Sequence, residues 1–141
     1  MSRIFWDTML LIYLLEGNAN YRTRADELLA RSRRRGDQLF TSYLAIGEIM
    51  AGIEKSTDQG RAPIIRDVLE EIGFSFLPFD SSAVSPFSRL RAWEQLKAPD
   101  AIHLACAASA GIDLFLTGDK QLMRLDVPGI QFIADFNAPI L

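Results

Sequence analysis

Cysteine is nearly absent from the sequence, in which Cys106 stands alone, so no disulfide can form within the chain. A reducing compartment is the default for such a protein, and we expect it in the cytoplasm. Long hydrophobic runs are missing as well. The apolar run at residues 9–15 is far shorter than the roughly 20 residues that cross a bilayer, and no signal-peptide cleavage site follows it. We therefore expect no membrane partner.

An excess of positive charge is also lacking. Lys and Arg together number 15 against 18 Asp and Glu, which gives a net charge of −3. This balance excludes a protein that holds nucleic acid through overall basicity alone. It leaves open a nucleic acid that is held partly through metal ions. With 49% hydrophobic and 23% charged residues, the composition is that of a globular protein, and the length predicts a single domain over residues 1–141.

Short apolar segments alternate with helical ones along the chain. We predict strands at residues 3–6, 38–41, 74–79, 113–117 and 130–133, and helices at 8–15, 21–35, 42–55, 62–72, 81–93 and 99–110. Strands of four or five apolar residues between helices are typical of parallel β-α units with helices on both faces of the sheet. The sequence therefore predicts an α/β fold with three layers, α/β/α, around a central, mainly parallel sheet of four or five strands.

Acidic residues stand where the predicted strands end or in the helices beside them. Asp7 and Asp119 follow the first and fourth strands, Glu48 lies in the helix after the second, and Asp100 opens the helix before the fourth. The functional site of a parallel sheet lies beyond the carboxyl ends of its strands. Each aspartate alone also has an ordinary explanation, as a helix cap or a partner of the helix dipole.

Glu48 is harder to explain by structure alone. Its neighbours at residues 44–52 are apolar or small, and no cation is close in sequence. A buried, unpaired carboxylate costs several kcal/mol, so we expect Glu48 to be paired, protonated or bound to a metal. The alternative is a glutamate on a narrow solvent-exposed stripe.

Together, the four acids predict a cation site. Two carboxylates about 5 Å apart repel by roughly 3 kcal/mol at an effective dielectric constant near 20. A cluster of four therefore needs protons or a cation. Oxygen ligands without His or Cys favour Mg²⁺ or Mn²⁺ over zinc. Such ions hold a phosphate and activate a water molecule, which points to phosphodiester hydrolysis.

In this order and spacing, the residues resemble the PIN-domain nucleases and, more narrowly, the VapC-type toxins of bacterial toxin–antitoxin pairs. The similarity covers nearly the whole chain. It rests on Asp7-Thr8 after a strand, Thr41-Ser42 followed by Glu48, Pro99-Asp100-Ala101-Ile102-His103-Leu104-Ala105, and Leu116-Thr117-Gly118-Asp119. Gly118 stands where many relatives carry a polar side chain.

The resemblance implies a PIN-like fold and an endoribonuclease that depends on Mg²⁺ or Mn²⁺. It implies that the catalytic metal ligands are Asp7, Glu48, Asp100 and, as a looser fourth, Asp119. Thr8 and Thr117 would be hydroxyls that orient carboxylates or waters. The resemblance also implies a homodimer, and an antitoxin protein whose peptide masks the acidic site.

Several other polar residues carry expectations of their own. The possible RNA contacts are Arg89, Arg91, Lys97 and Lys120. The basic segment at residues 22–35 is either a solvated helix face or a second track for an RNA backbone. His103 is the only histidine and lies one helical turn beyond Asp100. We interpret it as a packed or surface side chain, with a role as general base left open.

Two other functions are compatible with the sequence. A phospho-accepting signalling domain would use Asp7 or a central aspartate with Lys120, although the first strand ends in a lone Asp7 without an adjacent acid. A non-catalytic α/β binding module would use the carboxylates as helix caps, and Mn²⁺ would not stabilise it.

Overall fold

The computed structural model describes residues 1–16, 19–56 and 59–139. In this part of the chain, strands and helices alternate almost as the sequence predicts. They are β1 (Arg3–Trp6), α1 (Thr8–Glu16), α2 (Ala19–Arg35), β2 (Gln38–Ser42), α3 (Tyr43–Glu54), α4 (Ile65–Ile72), β3 (Phe74–Leu77), α5 (Ser81–Trp93), α6 (Ala98–Ala110), β4 (Ile112–Thr117) and β5 (Ile130–Asp135). Short 3₁₀ helices lie at Gln59–Ile64 and Leu122–Arg124.

Several boundaries differ by one to three residues from the predicted ones, and a proline lies at two of them. The helix expected from residue 62 is α-helical only from Ile65, because the preceding segment, which contains Pro63, forms a 3₁₀ helix. The third strand ends at Leu77, two residues earlier than expected, and Pro78 follows it. Proline has no backbone N–H, so Pro78 cannot donate to the strand ladder.

The five strands form one sheet in the order β3-β2-β1-β4-β5, and every neighbouring pair is parallel. β1 is central and pairs with both β2 and β4. The chain moves outward from β1 to β3 and then returns to the other side of β1 as β4. At such a reversal, the helices leave opposite faces of the sheet and open a crevice at the carboxyl ends of the strands.

Alternating side chains of the strands contact helices on the two faces of the sheet. Ile4 and Trp6 belong to a buried core that also contains apolar residues of α1, α2, α3 and α4. Phe5 and Phe115 belong to a second core with residues of α5 and α6. The predicted three-layer α/β/α architecture around a parallel sheet is thus confirmed. Within the described residues, no helix is both long and apolar enough to cross a membrane.

Candidate active site

Asp7 is fixed at the crevice between β1 and β4. Its backbone N–H donates to the carbonyl of Leu116 at 3.0 Å. Its Oδ1 accepts from the Thr8 backbone N–H at 2.8 Å, and its Oδ2 accepts from the Thr117 hydroxyl at 2.9 Å. The buried Thr117 oxygen in turn accepts from the backbone N–H of Asp119 at 3.0 Å. Thr117 therefore links the two aspartates that follow the paired strands.

Glu48 reaches the same crevice from α3. Its Oε1 accepts from the Thr8 hydroxyl at 3.0 Å and lies 2.8 Å from Nε2 of His103. The Glu48 side chain is 37% exposed, so burial is not what makes it unusual. Of the three states expected for Glu48, the structure shows a partner, the side chain of His103. This partner comes from α6, 55 residues further along the chain.

Asp100 is presented by the first turn of α6, directly after Pro99. Its pKa is raised from the ordinary value of 3.8, first because the carboxyl is partly removed from water. The negative charges of Asp7 and Asp119, and more weakly of Glu48, raise it further, whereas His103 acts in the opposite direction. Asp7 and Asp119 thus act electrostatically on Asp100, although the three lie far apart in the sequence.

A single cleft of about 350 Å³ contains all four acids. The residues that line it are Asp7, Thr8, Met9, Tyr13, Glu48, Pro99, Asp100, His103, Gly118 and Asp119. Within the described residues, no lysine or arginine forms an ion pair with any of the four carboxylates. The cleft therefore gathers negative charge that the fold leaves without a permanent positive partner.

The donor set of the cleft fits a hard divalent cation in kind and in charge. Carboxylate oxygens are the ligands that Mg²⁺ and Mn²⁺ prefer, and both ring nitrogens of His103 already contact side-chain oxygens. In the described part of the chain, however, no three His, Cys, Asp or Glu side chains are grouped closely enough to hold a metal ion as they stand. The acids share a cleft without converging on one point.

The basic residues expected to contact RNA do not line this cleft. Arg89 donates to the Ser85 hydroxyl, and Arg91 donates to the carbonyl of Leu96, so both interact locally around α5. Lys97 and Lys120 are both exposed. In the sequence they lie three residues before Asp100 and directly after Asp119.

The basic segment of α2 is occupied in part by contacts within the chain. Arg24 donates to the carbonyls of Phe136 and Ala138, which anchors the segment after β5. Arg33 donates to the carbonyl of Ile72. Since α2 runs into β2, the last arginines lie near the edge of the sheet where strands begin, opposite the acidic cleft. These contacts favour the structural interpretation of the segment.

Sequence reasoning missed some neighbours of the cleft. Ser42 entered the sequence analysis only as part of the Thr41-Ser42 pair. In the structure it caps α3, because its Oγ accepts from the Ala45 N–H at 3.1 Å. The same oxygen lies 2.8 Å from Nδ1 of His103. Met9 and Tyr13 line the cleft from α1. The sequence did contain a signal for both. Met9 and Tyr13 are four residues apart, which places them on one side of a helix that starts directly after Asp7.

Comparisons with known proteins agree with this geometry. The family model of the PIN domain matches residues 4–128. No curated protein sequence matches the chain.

Several solved structures have a similar fold. VapBC2 from Rickettsia felis, bound to a DNA fragment from its promoter, shares 14% identity at a TM-score of 0.72, with 94% of this chain and 98% of that chain covered. DNA-bound VapBC from Salmonella typhimurium shares 20% identity at a TM-score of 0.70, with 96% and 99% covered. VapBC-5 from Mycobacterium tuberculosis shares 18% identity at a TM-score of 0.62, with 94% and 98% covered.

At sequence identities of 14–20%, these similarities show that the fold is shared, and they do not assign a family. The family model, in contrast, spans most of the chain, from within β1 to the segment before β5. The family predicted from the order of the acidic residues is therefore confirmed: the chain belongs to the PIN domain family.

Proposed function

We propose that the protein is an endoribonuclease that hydrolyses RNA phosphodiester bonds with Mg²⁺ or Mn²⁺. One observation carries the proposal, namely that Asp7, Glu48, Asp100 and Asp119 share one cleft at the carboxyl ends of β1 and β4. Membership in the PIN domain family supports a nuclease. Because like charges repel, the presence of four carboxylates in one cleft favours a function that uses their negative charge.

Asp7, Glu48, Asp100 and Asp119 would hold the metal. When bound, a divalent ion orients a phosphate and lowers the pKa of a coordinated water molecule. Thr117 holds one oxygen of Asp7, and Thr8 holds one oxygen of Glu48. These two hydroxyls would fix the directions in which the carboxylates present their remaining lone pairs.

Lys97 and Lys120 are the candidates for contacts with the phosphates on either side of the cleaved bond. Each is at least partly exposed and is close in sequence to an acid of the cleft. Arg89 and Arg91 would contact RNA only along α5, since neither lines the cleft. A net charge of −3 means that such local contacts, together with the metal, would have to hold the substrate.

The same proposal includes a role as the toxin of a toxin–antitoxin pair. It is supported by similarity to VapBC structures, one of which is described as a member of a family of toxin–antitoxin systems. The partners would be an antitoxin whose peptide covers the acidic cleft and a second copy of the chain. The protein would act in the cytoplasm, where its RNA substrate is found.

RNA cleavage in the presence of Mg²⁺ or Mn²⁺ tests the activity directly. We expect Asp7→Asn and Asp100→Asn each to lower the cleavage rate by more than roughly 100-fold, the upper range for loss of an outer hydrogen bond at a metal site. Asp67→Asn, an exposed acid on α4, is the matched control and should cut like the parent. If the two cleft variants also cut like the parent, the proposal is wrong.

Growth arrest tests the toxin role separately. Expression of the parent chain should stop bacterial growth, expression of Asp100→Asn should not, and both should accumulate as folded protein. The two alternative functions make different predictions. A phospho-accepting domain gains the mass of a phosphoryl group on incubation with a small phosphodonor, and a binding module cleaves no RNA with either metal.

A further inference from the structure

His103 connects two layers of the molecule at the cleft. It lies on α6, on one face of the sheet. Ser42 ends β2 and caps α3, and Glu48 lies in α3 on the other face. The ring is only 3% exposed. Its Nδ1 lies 2.8 Å from Ser42 Oγ, and its Nε2 lies 2.8 Å from Glu48 Oε1 and 3.3 Å from Thr8 Oγ1. Both nitrogens are therefore committed to specific oxygens.

The hydrogen-bond pattern determines which nitrogen carries the proton. Ser42 is fully buried, and its oxygen already accepts from the Ala45 N–H. Its own hydroxyl proton needs an acceptor, and Nδ1 of His103 is the acceptor within reach. Nδ1 is then unprotonated, so the proton lies on Nε2 and is donated to Glu48 Oε1. The reverse tautomer would direct two donors at Ser42 and leave its hydroxyl proton buried without a partner.

Glu48 receives both of its hydrogen bonds on the same oxygen. His103 Nε2 and the Thr8 hydroxyl meet at Oε1, and within the described residues no hydrogen bond reaches Oε2. A glutamate side chain that is 37% exposed would otherwise sample several rotamers. Two donors from separate elements, α1 and α6, restrict it to one orientation and leave one oxygen open.

We propose that His103 is a positioning residue. Ser42 orients His103, and His103 holds Glu48 by Oε1, a relay that leaves Oε2 for the divalent cation. The inference rests on the proposed function, because it assigns His103 to the same metal site. His103 would bind neither the metal nor the RNA, since its two nitrogens are occupied by Ser42 and Glu48. Loss of an outer partner of this kind lowers metal affinity by roughly 10- to 100-fold.

Nitrogen NMR of the metal-free parent protein tests the relay without any activity assay. Because the chain has one histidine, a ¹⁵N-labelled sample gives one imidazole spin system. At pH 8, we expect Nε2 to appear as the protonated nitrogen and Nδ1 as the unprotonated one. The reverse tautomer, or the averaged pair of signals of a freely exchanging ring, would overturn the proposal.

Two substitutions test the consequence for the metal. His103→Leu keeps a similar apolar volume and removes the donor, whereas His103→Gln retains a side-chain N–H that can reach toward Glu48. We expect the His103→Leu variant to bind Mn²⁺ roughly 10- to 100-fold more weakly than the parent. The electron paramagnetic resonance signal of the free ion measures the binding. The His103→Gln variant should recover part of this loss. In RNA cleavage at fixed Mn²⁺, kcat should fall while KM for RNA changes little.

The outcomes separate the inference from the proposed function. If the His103→Leu variant melts cooperatively and binds Mn²⁺ as tightly as the parent, His103 does not position the ligand. If the parent itself binds no Mn²⁺, the proposed function fails, and the positioning role for a metal fails with it. In that case the tautomer measurement still shows whether the relay exists as a structural contact. The parent sample for NMR carries no substitution, so poor folding of a variant cannot obscure that result.

Discussion

The two edges of the sheet treat their acidic residues in opposite ways. At the edge where the strands begin, Asp37 accepts from the Ser2 backbone N–H at 2.7 Å and from Arg35 Nε at 3.0 Å, and its side chain is fully buried. Asp113 accepts from the Arg3 backbone N–H at 2.8 Å. At the edge where the strands end, four acids share a cleft without a Lys or Arg ion pair in the described part of the chain.

The difference separates Asp37, whose charge has a cationic partner in the fold, from the cleft carboxylates, which have hydrogen-bond donors but no Lys or Arg partner in the described part of the chain. A carboxylate with a cationic and a backbone partner contributes to stability, because its removal leaves a partly buried backbone N–H without an acceptor. A carboxylate among other carboxylates contributes repulsion until a cation arrives. The first edge is therefore expected to be sensitive in folding experiments, and the second in metal and activity experiments.

Of the changes considered, substitution of Gly129 should cause the largest loss of stability. Gly129 precedes β5, at the edge where the strands begin. It has φ +99°, and an added Cβ would lie 2.4 Å from the Ala108 carbonyl oxygen. We expect Gly129→Ala to lower the free energy of unfolding by about 3 kcal/mol, from backbone strain and the clash together. Urea unfolding measures it. Gly118→Ala at the other edge meets open space and should change stability by less than about 0.5 kcal/mol. Equal effects would contradict the comparison.

The Asp37 carboxylate should matter more for folding than any carboxylate of the cleft. We expect Asp37→Asn to cost about 2 kcal/mol of the free energy of unfolding, since hydrogen bonds to a buried charged group are lost. Asp119→Asn is the matched change at the other edge, where the amide oxygen can still accept from the Gln121 N–H. It should leave the metal-free protein within about 0.5 kcal/mol of the parent. The comparison fails if Asp119→Asn is the more damaging change.

Asp100→Asn should stabilise the metal-free protein slightly, by up to about 1 kcal/mol at pH 7, since the group is partly exposed and solvent screens its repulsion. The pKa of Asp100 is raised in the folded state, so the folded protein binds this proton more readily than the unfolded chain. The carboxylate therefore costs stability above its folded pKa. That cost disappears as the pH falls toward the ordinary value of 3.8.

Unfolding of parent and Asp100→Asn over a pH series measures this difference. The advantage of the variant should be largest near neutral pH and should shrink toward pH 4, and saturating Mn²⁺ should reverse it by binding the parent more tightly. An advantage that grows on acidification would have the wrong sign for a raised pKa.

The sequence predicted the fold well because each element carries its own local signal. The strands are short apolar runs buried in a parallel sheet, and two of the predicted helices start at capping side chains. Ser42 accepts from the Ala45 N–H, and Asp80 accepts from the Ser82 N–H. Prediction was less accurate near Pro63 and Pro78. At Pro78 the missing backbone donor ends the strand, whereas side-chain periodicity did not distinguish the 3₁₀ helix around Pro63 from an α-helix.

The site was predictable in its location and less so in its contacts. Parallel strands end at one edge, so acids after the first and fourth strands had to lie near each other once the two strands paired. The partner of Glu48 was not predictable, because His103 is 55 residues away and on the other face of the sheet. Hydrophobic periodicity indicates which side of a helix is buried. It does not indicate which side chains of two different helices contact each other.

Thermal unfolding with and without Mn²⁺, at matched ionic strength, tests the central claim most directly. If the four carboxylates form a divalent cation site, Mn²⁺ at about 100 times its dissociation constant should stabilise the parent by about 2.7 kcal/mol, and the melting temperature should rise accordingly. Asp7→Asn should lose most of this rise, whereas Asp67→Asn should keep it. A melting temperature of the parent that Mn²⁺ does not change, up to millimolar concentrations, would contradict the account.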